Sequence, residues 1–186
     1  MTKVFALALI ALGLVLTSKV GAEELPGGKC LECHSSLEDG VAELWQDDVH
    51  AHAGIGCDGC HGGDPTQDDS DLAKRRGTGY RGKLSAQQII LSCGGCHGDI
   101  EYMKSRNPAL PIDQLEKYRT SVHGKLLAKG ETRVAQCVSC HHAHGVRAVN
   151  DAKSPVYAEN VPATCGHCHA DAEYMADFEI PTTQYE

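Results

Sequence analysis

Apolar residues are unevenly spread along this chain, and their spacing sets the first expectations. One unbroken run, Val4 to Leu16, follows Lys3 and precedes Val20-Gly21-Ala22. A basic start, thirteen apolar residues and a small-residue cleavage site predict a signal segment over 1–22 that is removed on export. A membrane span needs about 20 apolar residues, and nothing after residue 22 supplies them. The helical period is clearest in PIDQLEKYRTSVHGKLLAKG. There Leu115, Val122, Leu126 and Leu127 share a stripe, Pro111 suits a start and Gly130 a stop, which predicts one helix from Ile112 to about Lys129. The 24 residues from Gly62 to Ser85 show no apolar period. They open acidic (Asp64, Asp68, Asp69, Asp71), turn basic (Lys74, Arg75, Arg76, Arg81, Lys83) and read as a solvated loop. The rest supports short helices, little or no sheet and much irregular chain.

Removing 22 of the 186 residues leaves 164, enough for one domain over 23–186. Two of the seventeen Lys and Arg leave with the signal, so fifteen face twenty-five Asp and Glu, a net charge of −10. That balance argues against nucleic-acid binding and for docking against basic surfaces of protein partners. Of nine aromatic residues, Phe5 leaves, and Phe178, Trp45 and six Tyr remain. Aromatic side chains normally dominate core burial, so something other than protein must supply the missing bulk.

The cysteines identify it. All ten fall into five Cys-x-x-Cys-His units: Cys30-Cys33-His34, Cys57-Cys60-His61, Cys93-Cys96-His97, Cys137-Cys140-His141 and Cys165-Cys168-His169. This unit marks attachment of a c-type haem. Two thiols form thioethers to the vinyl groups of one porphyrin, and the histidine that follows becomes the proximal iron ligand. A disulfide scaffold, a zinc ribbon or a thioredoxin-like site would each use paired cysteines, but none requires a histidine after every pair. Five haems would also account for twenty glycines, since backbone must pass close to flat macrocycles. The expected fold is thus haem-cored and mostly α, with much irregular chain.

Six histidines remain for the sixth coordination positions. His123 lies beside the apolar stripe of the predicted helix, with Gly124 next to it to let a haem approach. His50 lies in Val49-His50-Ala51, an echo of Val122-His123-Gly124. His144 follows His141 by three residues and is placed to cap a neighbouring haem rather than its own. His52, His142 and His167 are weaker candidates, equally suited to contacts with solvent or propionates. The phrase CGGCHGDIEYM at Cys93 to Met103 returns as CGHCHADAEYM at Cys165 to Met175. Met103 and Met175 are therefore alternative axial ligands or fillers at porphyrin edges, and Tyr102 and Tyr174 are expected against haem faces.

The stretches CHGGDPT (Cys60 to Thr66), YRTSVHGKLLAKG (Tyr118 to Gly130), CVSCHHAHGV (Cys137 to Val146) and SPVYAENVPATCGHCH (Ser154 to His169) give the chain a family look. It resembles the multihaem c-type cytochromes of anaerobic respiration, within them the cytochrome c3 and c554-like group. The resemblance implies periplasmic or extracellular electron transfer through low-potential bis-histidine haems. Its Ser-Val-His-Gly and Cys-His-x-x-His patterns support His50, His123 and His144 as distal ligands. It also implies that one or two haems lack a sixth ligand from within the chain. His52, His142 or His167 would fill the gap, or a histidine from a second subunit would join haem rows in a homo-oligomer. Otherwise one iron stays open to small ligands such as nitrite or hydroxylamine.

No Cys-x-x-Cys-Lys variant and no acid–base cluster points to catalysis, so the expectation is an electron carrier rather than an enzyme. Its partners would be a membrane quinol oxidoreductase and a terminal reductase. The alternatives are a small multihaem reductase, or a structural subunit of a multihaem complex or conductive filament.

Overall fold

Residues three and four apart share one side of a helix, so a Cys-x-x-Cys-His unit wound into a turn presents both thiols and the imidazole together. All five motifs do this. In the computed structural model, which describes residues 26–179, each motif histidine is the last residue of a helix. The helices are α1 (Gly28–His34), α2 (Val41–Gln46), α3 (Val49–His52), α4 (Cys57–His61), α5 (Ser70–Ala73) and α6 (Ala86–His97). They continue with α7 (Ile100–Arg106), α8 (Gln114–Thr120), α9 (Val122–Ala128), α10 (Cys137–His141), α11 (Val161–His169) and α12 (Ala172–Ala176). Irregular chain joins them and no strand occurs among the described residues, in keeping with the mostly α expectation. The apolar run expected to act as a signal, and with it the 1–22 boundary, lies outside the described residues.

The single helix expected from Ile112 to Lys129 is instead two. Ser121 is extended (φ −69°, ψ 165°) and both ends α8 and caps α9. Its hydroxyl donates to the Tyr118 carbonyl (2.6 Å) and accepts the Gly124 N–H (3.1 Å), a local bonding option that competes with continuing the helix. Gly124 is buried at the fold-back, where a Cβ would sit 2.1 Å from the Tyr118 carbonyl oxygen. The glycine therefore admits the close approach of the α8 backbone. Asp48 makes the same break between α2 and α3. It is extended, and its carboxylate accepts the His50 N–H.

The repeated phrase is a repeated structure. After α6 and α11, Asp99 and Asp171 cap α7 and α12 by accepting the N–H groups of Tyr102 and Tyr174, each at 2.9 Å. Met103 and Met175 are then buried, at 5% and 3% exposure. The tyrosines have protein partners: Arg106 lies over Tyr102, while Tyr174 packs on Phe178 and donates to the Arg133 carbonyl. The protein core is thin, as the aromatic scarcity foretold. Ile90, Leu127 and Val134 form its buried cluster, edged by Leu115, Tyr118, Leu126 and Phe178.

The connection from Gly62 to Ser85 is not a free solvated loop. It contains α5, and Gly62 (φ +65°) packs so closely on Gly79 that a Cβ would lie 2.1 Å from the Gly79 oxygen. The Arg81 guanidinium donates to the Cys60 carbonyl, and its N–H donates to the His61 carbonyl at 2.8 Å. The segment thus folds back over the second motif.

Candidate functional site

The motif histidines meet other histidines from far along the chain. His50 and His97 have ring centres 6.1 Å apart with planes at 84°; His61 and His144 are 6.0 Å apart at 28°; His123 and His169 are 6.0 Å apart at 56°. Each pair joins one motif histidine to one of the three favoured candidates. Two metal–nitrogen bonds of about 2 Å, with a ring centre about 1 Å behind each nitrogen, span roughly 6 Å. The three gaps therefore match an iron held between two imidazoles.

Hydrogen bonds set the ring orientations. The His61 Nδ1–H donates to the Gly82 carbonyl at 2.8 Å, from the returning end of the Gly62–Ser85 segment. The His50 Nδ1–H donates to Asp48 Oδ1 at 2.9 Å, and the His34 Nδ1–H to Asp39 Oδ2 at 3.0 Å. In each ring Nδ1 is occupied by a proton donated away, which leaves Nε2 as the lone-pair nitrogen a metal needs. Burial lowers the pKa of His97, His123 and His144, in all three helped by the facing histidine, and so favours neutral, ligating imidazole.

Two motif histidines stand apart. All eleven histidines are among the described residues, and six form the three pairs. No second histidine ring pairs with His34 or His141, and the weaker candidates His52, His142 and His167 are exposed and paired with no motif histidine. His142 also has positive φ (66°), a backbone state that non-glycine residues adopt at a cost. Met103 and Met175 lie in the buried interior.

None of the ten cysteines is in a disulfide, and cysteines of successive motifs influence one another. Burial and then Cys30 raise the Cys57 thiol; burial and then Cys96 raise Cys60. The Cys93 thiol donates to Cys137, which raises the first and lowers the second, while burial and then Cys165 raise Cys140. These electrostatic influences run first to second, second to third and fourth to fifth, and the one hydrogen bond among them joins third to fourth. A cavity of about 260 Å³ brings Cys30, Cys33 and His34 of the first motif together with Cys57 and His61 of the second, and includes His144 and buried Trp45. A larger, open depression lined by Gly28, Leu31, Pro65 and Thr66 holds none of the ten cysteines.

These residues fit covalent haem. The thiol pairs share a helical face with an imidazole, the opposed rings are spaced for iron, and apolar space adjoins the thiols. Among the described residues no three or more His, Cys, Asp or Glu converge to hold a bare metal ion, so a zinc ribbon does not suit. One buried hydroxyl, Ser154 Oγ on a residue 1% exposed, has no hydrogen-bond partner among the described residues.

Sequence reasoning missed Asp48, Asp39 and the Gly82 carbonyl. A local signal existed for one of them, since Asp48 precedes the Val49-His50 pair as Ser121 precedes Val122-His123 and both residue types cap helices.

Comparison with known proteins agrees. The model of the Cytochrome c3 family matches residues 49–170, a span that holds the second to fifth motifs and the three ring pairs. The chain is similar to the C-type polyheme cytochrome OmcC of Geobacter sulfurreducens (strain ATCC 51573 / DSM 12127 / PCA), with 24% identity over 184 residues. That alignment covers 84% of this chain and 22% of OmcC, so the chain spans about a fifth of the relative's length. No solved structure gives a significant match. Motif, geometry and family model converge: the chain belongs to the cytochrome c3 family and is a multihaem c-type cytochrome.

Proposed function

We propose that the chain carries five haems c, one on each motif, and conducts electrons along them in sequence order. The thioether pairs would be Cys30/Cys33, Cys57/Cys60, Cys93/Cys96, Cys137/Cys140 and Cys165/Cys168. His34, His61, His97, His141 and His169 would be the proximal ligands. His144, His50 and His123 would be the distal ligands of the second, third and fifth irons. The observation that carries this reading is the three histidine pairs at 6.0–6.1 Å, assembled from residues that sequence alone leaves unpartnered. The haem supplies the redox chemistry; the chain supplies attachment, axial ligands, burial and nearby charge, which set each potential.

In this reading the protein is exported to the periplasm or cell exterior, where it shuttles electrons between a membrane quinol oxidoreductase and a terminal reductase of an anaerobic respiratory chain. The absence, among the described residues, of a helix long and apolar enough to cross a membrane is compatible with that role. The acidic surface suits basic docking faces on such partners.

A second reading rests on His34 and His141, which face no second histidine. Their irons would take a sixth ligand from outside the chain. A histidine of a second copy would make the protein a unit of a multihaem assembly or filament, and nitrite or hydroxylamine would make it a small reductase.

The test is haem content per chain with low-temperature EPR of the oxidised holoprotein. Five haems are expected. The third, with near-perpendicular imidazoles, should give a strongly anisotropic low-spin signal, and the second, with near-parallel rings, a rhombic one. Fewer than five haems would remove the five-haem row.

A further inference from the structure

Asp48 is 0% exposed, a rare setting for a carboxylate. Oδ1 accepts the His50 backbone N–H (2.8 Å) and the His50 Nδ1–H (2.9 Å); Oδ2 accepts the Val146 N–H (2.8 Å). The contact is reinforced on both sides. The Val49 N–H donates to the Val146 carbonyl at 2.9 Å, and Arg147 bridges Asp47 at 2.7 Å and Asp151 at 3.0 Å. Val146 lies two residues after His144, whose ring faces His61. One carboxylate therefore grips the ring opposite the third motif and the chain bearing the ring opposite the second.

We propose that Asp48 is a positioning residue shared by these two neighbouring haem sites, holding the His50 ring toward His97 and the His144 segment toward His61. This rests on the haem reading given above. A carboxylate on the Nδ1–H makes an imidazole a stronger donor through Nε2, which favours the ferric iron and lowers its potential. The residue thereby lowers the potential of the third haem in the row and fixes the near-perpendicular crossing of its ligands. Its hold on the second haem is weaker, because it acts there through backbone alone.

The experiment compares wild-type, Asp48→Asn and Asp48→Glu holoproteins by haem content, EPR and spectroelectrochemical titration. In Asp48→Asn, one of five potentials is expected to rise, a second to move less and three to stay. The most anisotropic low-spin EPR signal should shift, and Asp48→Glu should restore it in part. Unchanged potentials and EPR in a five-haem Asp48→Asn protein, or an equal drift of all five potentials, would overturn the proposal. A wild-type protein lacking low-spin haem would instead overturn the reading beneath it. Should Asp48→Asn fail to accumulate, NMR of fully reduced, 15N-histidine-labelled wild type gives the answer. The His50 Nδ1–H is expected to exchange slowly with water and to lie close to the Asp48–Val146 junction, and fast exchange would overturn the assignment.

Discussion

The third and fourth motifs differ only in their inner residues, Gly-Gly against Val-Ser, yet their histidines end in different settings. His97 closes the twelve-residue α6, is half-buried and faces His50. His141 closes the five-residue α10, is exposed and meets no second histidine ring among the described residues. The local code of the motif delivers two thiols and one imidazole wherever it winds into a turn. The second imidazole is a tertiary product: His50 and His123 come on separate short helices, capped by Asp48 and Ser121, and His144 comes on irregular chain after α10.

That contrast is most severely tested by taking the cofactor away. With one buried cluster of three residues, the polypeptide lacks the apolar burial to offset its conformational entropy. Chain produced without haem attachment is expected to show no cooperative thermal transition by circular dichroism, and a sharp transition would mean that the protein core suffices. Next in size is the difference between paired and unpaired motifs. Two-fifths of the haem in reduced, dilute protein should bind carbon monoxide, at the first and fourth motifs. That fraction should fall as concentration rises if a second copy supplies the missing histidines.

A sharper cut uses single histidines. His50→Ala is expected to convert about one-fifth of the ferric haem to high spin, by loss of one axial ligand in a five-haem row. His142→Ala, at an exposed residue whose ring pairs with no motif histidine, should leave the optical spectrum unchanged. Smallest is the effect of Gly124→Ala, which forces α9 off α8 and with it His123 away from His169. Overpacking of this kind costs about 1–3 kcal/mol, to be read as a lowered denaturant midpoint of the holoprotein.

These contrasts also mark what the sequence could disclose. The motifs are contiguous, so their chemistry was legible from spacing alone, and the thin core followed from counting aromatics. His50, His123 and His144 stood out through local context, and they are the three that the fold brings opposite motif histidines. Which faces which was not legible, because the pairing spans tens of residues of irregular chain that carries no period to read. The break at Ser121 was hidden by an apolar stripe that continues through it, since a hydroxyl and a glycine change the backbone without interrupting the pattern. Asp48 was hidden for a different reason. Its burial depends on Val146, which lies 98 residues away.

The pairing of His61 with His144 has a consequence for timing. A chain threaded outward from its N-terminus presents the second motif long before its partner, since 144 minus 61 leaves 83 residues still to emerge. His50, by contrast, has already passed when His97 arrives, as has His123 when His169 does. Two sites can thus close as soon as their motif appears, while the second must wait with one face bare. Emergence of the turn at His144 to Val146 is then what completes the second site, and chains cut before residue 144 should accumulate with the second iron, as well as the first and fourth, able to take up carbon monoxide.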